Sequence, residues 1–516
     1  MTRLCVAIFV TDLLGARRDI ALAAERGADL VELRIDRHIE PDQIRDLLKS
    51  AIIPCIATCR PIWEGGSSEL SDDQRIALLE SAAVGGACYV DVELETLRRV
   101  GNVRGRIPKQ LVASSHDFAG RPDRLNNLIV EMNASDGDIN KIVWTARTIR
   151  DNIEAFEILQ HQQKPTIALC MGEAGLISRV LAKKFNAFLS FASLDADGGT
   201  ASGQIPISDM KQLYRWDSLN ADTRVYGVVG SPVAHSMSPA MHNAAFDHID
   251  FNGVYLPLLV EKSYESFKAF METFLAFAPL HLSGLSITIP HKENALRYLK
   301  EKGGHVDELA ERIGAVNTIA VQRDSTGQPN LRGFSTDYEA ILDCIGEKLP
   351  GGRADLVGKR VAVIGAGGTG RTAVAALAAS GATVVIYNRT RDRADALAAE
   401  FNGKTGKVVA APLEKLCDSC CEIYFNTTSV GMHPNTYASA WGDRSPKLAP
   451  NTIVFDAVYN PLDTQFLQQA RQAGAVTIDG ADMLVRQAAR QFSEWTAQPA
   501  PLAIMREAMM QRLKGS

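Results

Sequence analysis

Residues 359–371 read KRVAVIGAGGTGR, and this stretch decides the second half of the chain. Residues 361–364 are a short apolar run of the kind that makes a fully buried strand. Gly365, Gly367, Gly368 and Gly370 follow at once, and an Ala-rich helical stretch follows them. Strand, glycine turn and helix, in that order, are the context a dinucleotide fingerprint requires. Gly365 permits the tight turn, Gly367 lets backbone approach a pyrophosphate, and Gly370 lets the helix pack closely on the strand. The phosphates would then meet free N–H groups at the helix N-terminus. The next apolar run, Thr383–Tyr387, ends in Asn388, Arg389 and Thr390. An NAD binder places Asp or Glu there for the ribose hydroxyls, whereas a guanidinium and a hydroxyl suit a 2′-phosphate. The reading is a Rossmann-like domain that favours NADP over NAD. Its alternative is a glycine turn in an α/β domain that binds nothing.

Working outward, 516 residues suggest about two to four domains. The 46% hydrophobic content is ordinary for a soluble globular chain. A net charge of −5 gives no global attraction for nucleic acid, so an anionic substrate needs local positive groups. Nine scattered cysteines form no disulfide framework and point to a reducing, cytoplasmic compartment. Cys417, Cys420 and Cys421 have no second Cys/His pair nearby, and a structural zinc needs four ligands, so no metal is expected. The opening TRLCVAIFV has too short an apolar core for a signal peptide or membrane helix and reads as a first strand.

Up to about residue 215, apolar strand-like runs alternate with amphipathic helical stretches. The strands fall at 4–9, 30–35, 54–59, 89–94, 110–115, 141–145, 165–170 and 188–192, each followed by a helix candidate, the last at 208–219. Eight such units predict a (β/α)8 barrel, whose chemistry sits where strands end. Glu32 and Arg34 are two apart and share a face. Arg60 ends strand three, with Glu64, Gly65 and Gly66 beyond it; strand four carries Asp91 and Glu93; His116 follows strand five; Lys141 opens strand six; Arg179 follows strand seven; Thr200 and Gln204 follow strand eight. Any one of these reads equally well as a salt-bridged barrel interior. Their convergence on one face favours a site. Desolvation and the cations Arg34 and Arg60 are expected to lower the pKa of Lys141 and give a neutral amine near pH 7. A neutral amine condenses with a ketone, and the iminium acidifies the adjacent C–H. Histidine is the natural base for that proton, after which a β-hydroxyl leaves as water. Arg179 offers a bidentate fork for a carboxylate.

The segments ELRID, TCR…EGG, DVE, SSHDF, NKIVWTA, MG…SR and TASGQ, in this order, resemble type I 3-dehydroquinate dehydratase over essentially the whole first half. The resemblance implies that Lys141 forms an imine with the C3 ketone. It makes His116 the shuttle that removes a C2 proton and helps the C1 hydroxyl leave, with Glu64 orienting His116. Glu32, Arg34, Arg60, Arg179, Thr200 and Gln204 would bind ring hydroxyls and carboxylate, Gln204 from a closing loop. Thr200 stands where other members can carry Ser, and the hydroxyl is retained.

The polar stretch 220–224 marks a junction too short for a flexible linker. A strand at 225–230 precedes Ser236 and Ser238, two hydroxyls just before a helix start at Pro239. They grip a carboxylate, or Ser238 simply N-caps the helix. Helix Tyr264–Ala276 and a strand at 284–289 lead into Pro290, His291 and Lys292. The tail after 478 is helical, with Gln487, Gln491 and Trp495 at four-residue spacing, and should pack back on the first domain of this half.

SPVAHSMSP, SITIPHK, GAVNT, GFSTD, GAGGTGR, NRT, NTTSVGM, DAVYNP and GADML…QAARQF resemble shikimate dehydrogenase across the entire second half. The resemblance implies a catalytic pair of Lys292 and Asp337, with Ser236 and Ser238 on the carboxylate and Thr288, Asn317, Tyr459 and Gln487 on ring hydroxyls. Asn388, Arg389 and Thr390 would hold the 2′-phosphate. Thr427, Ser429 and Met432 would line the nicotinamide side, and Gly480 would also meet the cofactor. Ser286 and Ser335 depart from the usual Asn at both positions but stay polar. Hydride delivered to a ketone leaves an alkoxide that Lys292 can protonate, with Asp337 holding the lysine charged and oriented. Without the flanking motifs the same pair reads as a surface ion pair.

The expected architecture is α/β: a (β/α)8 barrel over 1–220, a substrate-binding domain over 221–342 completed by 479–516, and a Rossmann-like NADP domain over 343–478. This order resembles the bifunctional dehydroquinate dehydratase/shikimate dehydrogenases of plants. It implies 3-dehydroquinate, 3-dehydroshikimate and shikimate as ligands, NADP(H) as cofactor, and neither metal, nucleic acid nor membrane as partner. Two rivals stand beside it: a catabolic version that prefers quinate and NAD, and a sensor that keeps the folds only to bind pathway acids.

Overall fold

The computed structural model describes residues 1–37, 40–195, 202–403, 406–442, 444 and 447–515. Eight strands make the first sheet: β1 (Arg3–Phe9), β2 (Leu30–Arg34), β3 (Cys55–Thr58), β4 (Tyr89–Glu93), β5 (Gln110–Asp117), β6 (Ile139–Thr145), β7 (Thr166–Met171) and β8 (Leu189–Ala192). They pair in parallel in sequence order, with β8 returning to β1. Between β7 and β8 the ring is completed by the Phe188 N–H donating to Thr166 O at 2.8 Å, which makes a nearly closed barrel.

Strand alternation sorts the side chains. On β6, Ile139 and Val143 join the apolar filling of the barrel interior, so Lys141 between them points inward, while Ile142 and Trp144 pack against the outer helices. The same parity sends Tyr89, Asp91 and Glu93 of β4 inward and Val90 and Val92 outward. Interior apolar residues such as Leu30, Ile56, Tyr89, Val112 and Ile139 lie near the strand starts; charged ones succeed them toward the strand ends. The site is therefore built on rigid strand ends above an apolar floor.

The expected helix over 208–219 is corrected. A π-helical turn, Asp209–Leu213, and a 3-10 turn, Trp216–Ser218, occupy that stretch. Arg215 between them takes φ 54°, which breaks the helix, and its guanidinium donates to the carbonyls of Phe251 and Gly253 beyond the junction.

The second sheet has the order β10-β9-β11-β13-β14-β12, built from β9 (Arg224–Gly230), β10 (Gly253–Leu259), β11 (Leu282–Ile287), β12 (His305–Val306), β13 (Thr318–Arg323) and β14 (Pro329–Phe334). β13 runs antiparallel to both neighbours. The third sheet is wholly parallel, in the order β17-β16-β15-β18-β19-β20, from β15 (Arg360–Ile364), β16 (Thr383–Tyr387), β17 (Lys407–Ala411), β18 (Ile423–Asn426), β19 (Ile453–Asp456) and β20 (Val476–Ile478). Counted from β15 this is 3-2-1-4-5-6, the doubly wound order whose crevice opens between the first and fourth strands.

Helix Gly480–Thr496 leaves the third sheet and packs on the second. Its Trp495 Nε1 donates to Ile319 O at 3.1 Å and its Phe492 joins Tyr226, Phe246 and Tyr255 in one apolar cluster. The barrel and the second sheet also share a core. Phe156 stacks on Phe185 with centroids 4.2 Å apart, and Phe277 from beyond the junction lies 5.7 Å from Phe185.

Candidate active sites

Inside the barrel mouth, one cavity is lined by Glu32, Arg34, Arg60, Glu64, His116, Lys141, Arg179 and Gln204, with Phe118 and Phe191 among its apolar walls. Thr200, expected among them, lies outside the described residues. Lys141 Nζ donates to Glu32 Oε1 at 2.8 Å and to Asp91 Oδ2 at 2.9 Å, and sits 4.5 Å from the ring centre of Phe191. Arg60 donates to Glu93 Oε1 at 2.8 Å, Asp91 Oδ1 at 2.8 Å and Ser114 Oγ at 2.7 Å. Arg34 is forked onto Asp36, which also accepts the Arg60 backbone N–H.

Glu64 ends the turn Ile62–Glu64, and its Oε1 lies 2.8 Å from His116 Nδ1. Gly65 closes that turn at φ 75°, and a Cβ there would run into the ring of Phe118, which stacks alongside His116. Glycine is thus required for the carboxylate to reach the imidazole.

Burial and the cations Arg60 and Lys141 hold the His116 imidazole well below its usual range, so it is neutral at pH 7. Burial, assisted by Glu93 and Asp91, pushes the Glu64 carboxyl up to about 8. The expectation of a neutral Lys141 is corrected. Burial disfavours its charge, as anticipated, but Asp91 and Glu32 at hydrogen-bond distance outweigh burial and Arg60 together, and its pKa is raised. The resting amine is an ammonium. Arg179 is the opposite case. It is 1% exposed, has no carboxylate partner among the described residues, and burial brings its pKa down to about 10. A buried guanidinium that is still cationic and lacks a counter-ion is a ready receptor for a carboxylate.

In the second half, β11 ends next to Thr288, and Lys292 opens helix Lys292–Lys302. Asp337 sits in the first turn of helix Thr336–Gly346, and Lys292 Nζ donates to its Oδ2 at 2.5 Å. The glycine loop touches this pair: a Cβ on Gly368 would come 3.3 Å from Lys292 Cδ. Gly365 turns at φ 114°, and a Cβ on Gly370 would lie 2.4 Å from Gly365 O, so helix Gly368–Ala379 packs directly on its strand. Thr427, just after β18, donates to Ile364 O at 2.8 Å across the crevice. Ser429 and Met432 beyond it are exposed. Asn388 Nδ2 donates to Thr390 O at 2.8 Å, and Arg389 is exposed with no ion pair among the described residues. Gly480 abuts the carbonyls of Ala457 and Val458.

Asn317 lies at the centre of a buried network. Its Nδ2 donates to Thr336 Oγ1 at 3.0 Å and Gln487 Oε1 at 3.3 Å, and its Oδ1 accepts the Thr336 N–H at 2.8 Å. Tyr459 is half-buried on the loop after β19. Helix Ser238–His248 is preceded by Met237 rather than capped by Ser238, whose own N–H donates to Ser236 Oγ at 3.3 Å. The N-capping alternative for Ser238 is thereby removed.

Comparison with known proteins finds four family matches along the chain. Residues 4–221 match the family described as type I 3-dehydroquinase, 228–319 the shikimate dehydrogenase substrate binding domain, 348–434 shikimate/quinate 5-dehydrogenase, and 480–510 the shikimate 5'-dehydrogenase C-terminal domain. The chloroplastic bifunctional 3-dehydroquinate dehydratase/shikimate dehydrogenase of Arabidopsis thaliana is 39% identical over 497 residues, 93% of this chain and 79% of that one. The chain belongs to the bifunctional 3-dehydroquinate dehydratase/shikimate dehydrogenase family. The shikimate dehydrogenase (NADP(+)) of Methanosarcina acetivorans is 37% identical, covering 56% of this chain and 99% of its own. A solved structure of dehydroquinate dehydratase and shikimate dehydrogenase from S. pombe is 24% identical, covering 99% of this chain and 98% of its own, with a TM-score of 0.44.

Within this bifunctional dehydratase/dehydrogenase framework, three residues stand out to which the sequence reading gave no role. Asp91 bridges Lys141 and Arg60. Its signal was the inward parity it shares with Glu93. Ser286 accepts from Tyr255 Oη at 2.6 Å and donates to Gln491 Oε1 at 2.8 Å. Gln491 Nε2 donates to Thr318 Oγ1 at 3.0 Å. The four-residue spacing from Gln487 placed Gln491 on the same helix face, but nothing in the sequence paired it with Ser286, 205 positions away.

Proposed function

We propose that the barrel dehydrates 3-dehydroquinate to 3-dehydroshikimate through an imine on Lys141, and that the second half reduces 3-dehydroshikimate to shikimate with NADPH. The observation that carries the first step is one cavity holding a buried lysine, a neutral imidazole and a buried guanidinium without a counter-ion among the described residues. The substrate carboxylate pairs with Arg179. Lys141 gives up its proton, with His116 the neutral base beside it, and attacks the C3 carbonyl; water leaves and an iminium forms. His116 then takes a C2 proton, and the electron pair moves into the ring. The C1 hydroxyl departs with that proton as water, and hydrolysis of the iminium frees Lys141. Glu64 holds His116 in the orientation this needs. Glu32 and Asp91 stabilise the cationic nitrogen before and after the bond forms.

In the second half the residues present fit NADP. No atom lies within 4 Å of a Cβ on Gly367, leaving backbone open to a pyrophosphate, and exposed Arg389 stands where an acidic residue would select NAD. The bound nicotinamide supplies a hydride. Lys292, held by Asp337 and adjacent to the glycine loop, protonates the oxygen that becomes the hydroxyl. Gln487, Asn317, Thr288 and Tyr459 orient the ring, and Ser236 and Ser238 take the carboxylate. The folding units of this reading are 1–220, 221–342 with 479–516, and 343–478. Nine free cysteines favour a reducing, cytoplasmic setting, and among the described residues no helix is long and apolar enough to cross a membrane.

A coupled assay tests both steps. Purified chain given 3-dehydroquinate should form an enone absorbance, then consume NADPH with a matching yield of shikimate. Absence of either step refutes that half. Faster turnover with quinate and NAD would favour the catabolic reading.

A further inference from the structure

Arg75 lies on helix Asp72–Gly85 in the outer ring of the barrel and is 0% exposed. Its guanidinium still reaches toward the site. Nη1 donates to Glu93 Oε2 at 2.6 Å and to Cys59 O at 3.0 Å, and Nη2 donates to Asp72 Oδ1 at 2.7 Å and Thr96 Oγ1 at 2.6 Å. Glu93 accepts Arg60 on its other oxygen, Arg60 also holds Asp91, and Asp91 holds Lys141. Charge therefore alternates in sign along Glu32, Lys141, Asp91, Arg60, Glu93, Arg75 and Asp72. Only the last of these reaches solvent appreciably, its side chain 21% exposed.

We propose that Arg75 is a positioning residue for the dehydration: by neutralising Glu93 it leaves Arg60 free to share Asp91, and so sets how firmly Lys141 is held as an ammonium. The inference rests on reading Lys141 as the imine-forming amine. With Arg75 in place, each oxygen of Glu93 has its own guanidinium. Without it, a buried carboxylate is half-compensated, a costly state that draws Arg60 toward Glu93. Asp91 then depends on Lys141 alone. Loss of a positive charge and loss of the shared guanidinium act in the same direction, and both make the amine harder to deprotonate.

The other titratable and charged groups facing Lys141 are Glu32 and Arg34 from β2, Arg60 and Glu64 after β3, Asp91 from β4, His116 from β5 and Arg179 after β7, and of these Arg60 is the one that shifts when Arg75 is replaced. Cys5 on β1 is kept neutral by burial, and β7 and β8 present Leu169, Met171 and Phe191.

The test is borohydride trapping of the 3-dehydroquinate adduct on Lys141, followed by mass spectrometry of the full-length chain across a pH series. Shikimate oxidation by the other half serves as the folding control. Arg75→Met should move the trapping midpoint up by about one pH unit and slow trapping at pH 7 about tenfold, the size of one unit charge removed four ion-pair contacts away at an effective dielectric near 20. Arg75→Lys should restore the midpoint. Glu93→Gln should move it down by a similar amount. An unmoved midpoint in Arg75→Met with shikimate oxidation intact overturns the inference. So does movement of Arg75→Met and Glu93→Gln in the same direction, which would mark lost packing rather than charge. If Arg75→Met loses both activities, Glu93→Gln decides alone: a downward shift supports the chain of charges, and no shift or an upward one refutes it. If the unsubstituted chain gives no adduct at Lys141, the imine reading itself falls, and the inference with it.

Discussion

Two lysines stand at the proposed sites, and in the proposed function their neighbours suit each to a different use. Lys141 faces two carboxylates inside the barrel and must lose a proton before it can attack a carbonyl. Lys292 faces one carboxylate at the edge of a crevice, where a proton ready to be given is what a developing alkoxide needs. Lys292→Met is expected to lower NADP-linked shikimate oxidation by about 10²–10⁴-fold, the usual worth of a general acid, and to leave dehydration of 3-dehydroquinate unchanged. Both rates measured on one preparation check this. A parallel fall in dehydration would show that the sites are not independent. Asp337→Asn should act in the same direction, because it removes the charge that orients the ammonium.

At the scale of the element, the end of β19 stores a pH dependence. Asp456 is buried and accepts from the Val458 N–H at 3.0 Å, Asn426 Nδ2 at 2.9 Å and the Thr464 hydroxyl at 2.7 Å, but no cation is among these partners. Burial pushes its pKa up to about 6. The folded state thus binds this proton more tightly than the unfolded chain, whose Asp titrates near 3.9. The contribution to stability is fully present below about pH 4, is lost as pH rises toward 6, and above that stands as a constant cost. Asp456→Asn keeps an acceptor for Val458 and Asn426 and offers a donor to Thr464. It should stabilise the third sheet by about 2–3 kcal/mol at pH 8 and by about half as much at pH 5. Thermal denaturation of both chains at the two pH values measures the difference, and an equal gain at both would contradict a raised Asp456 pKa.

For the whole molecule, the consequential feature is the apolar continuity between the barrel and the second sheet. Phe156, Phe185 and Phe277 form one stack, and Lys184 beside it donates to Ala221 O at 2.6 Å and Thr223 O at 2.9 Å, fixing the junction backbone. Truncating a buried Phe costs about 3–5 kcal/mol. Phe277→Ala should therefore lower the heat resistance of dehydration and of shikimate oxidation together, although Phe277 touches neither site. Residual activities after a temperature ramp test this, and a loss confined to shikimate oxidation would mean that the two halves unfold separately.

The sequence by itself determined the inventory and the scaffold. Eight apolar runs alternating with helical stretches put Glu32, Arg34, Lys141 and His116 at the strands of a barrel, and the glycines from Gly365 to Gly370 pointed to a Rossmann-like sheet, because both patterns are local consequences of backbone geometry. The helix expected over 208–219 failed for a reason that is not local. Arg215 is held by carbonyls on the far side of the junction. The charge on Lys141 was misread in the same way. Arg34 and Arg60 are visible as nearby cations in a list of strand ends, but the groups that touch the amine are Glu32 and Asp91, 109 and 50 positions away. Only the tertiary structure sets those distances, and Coulomb energy depends on separation in space, about which separation along the chain says nothing.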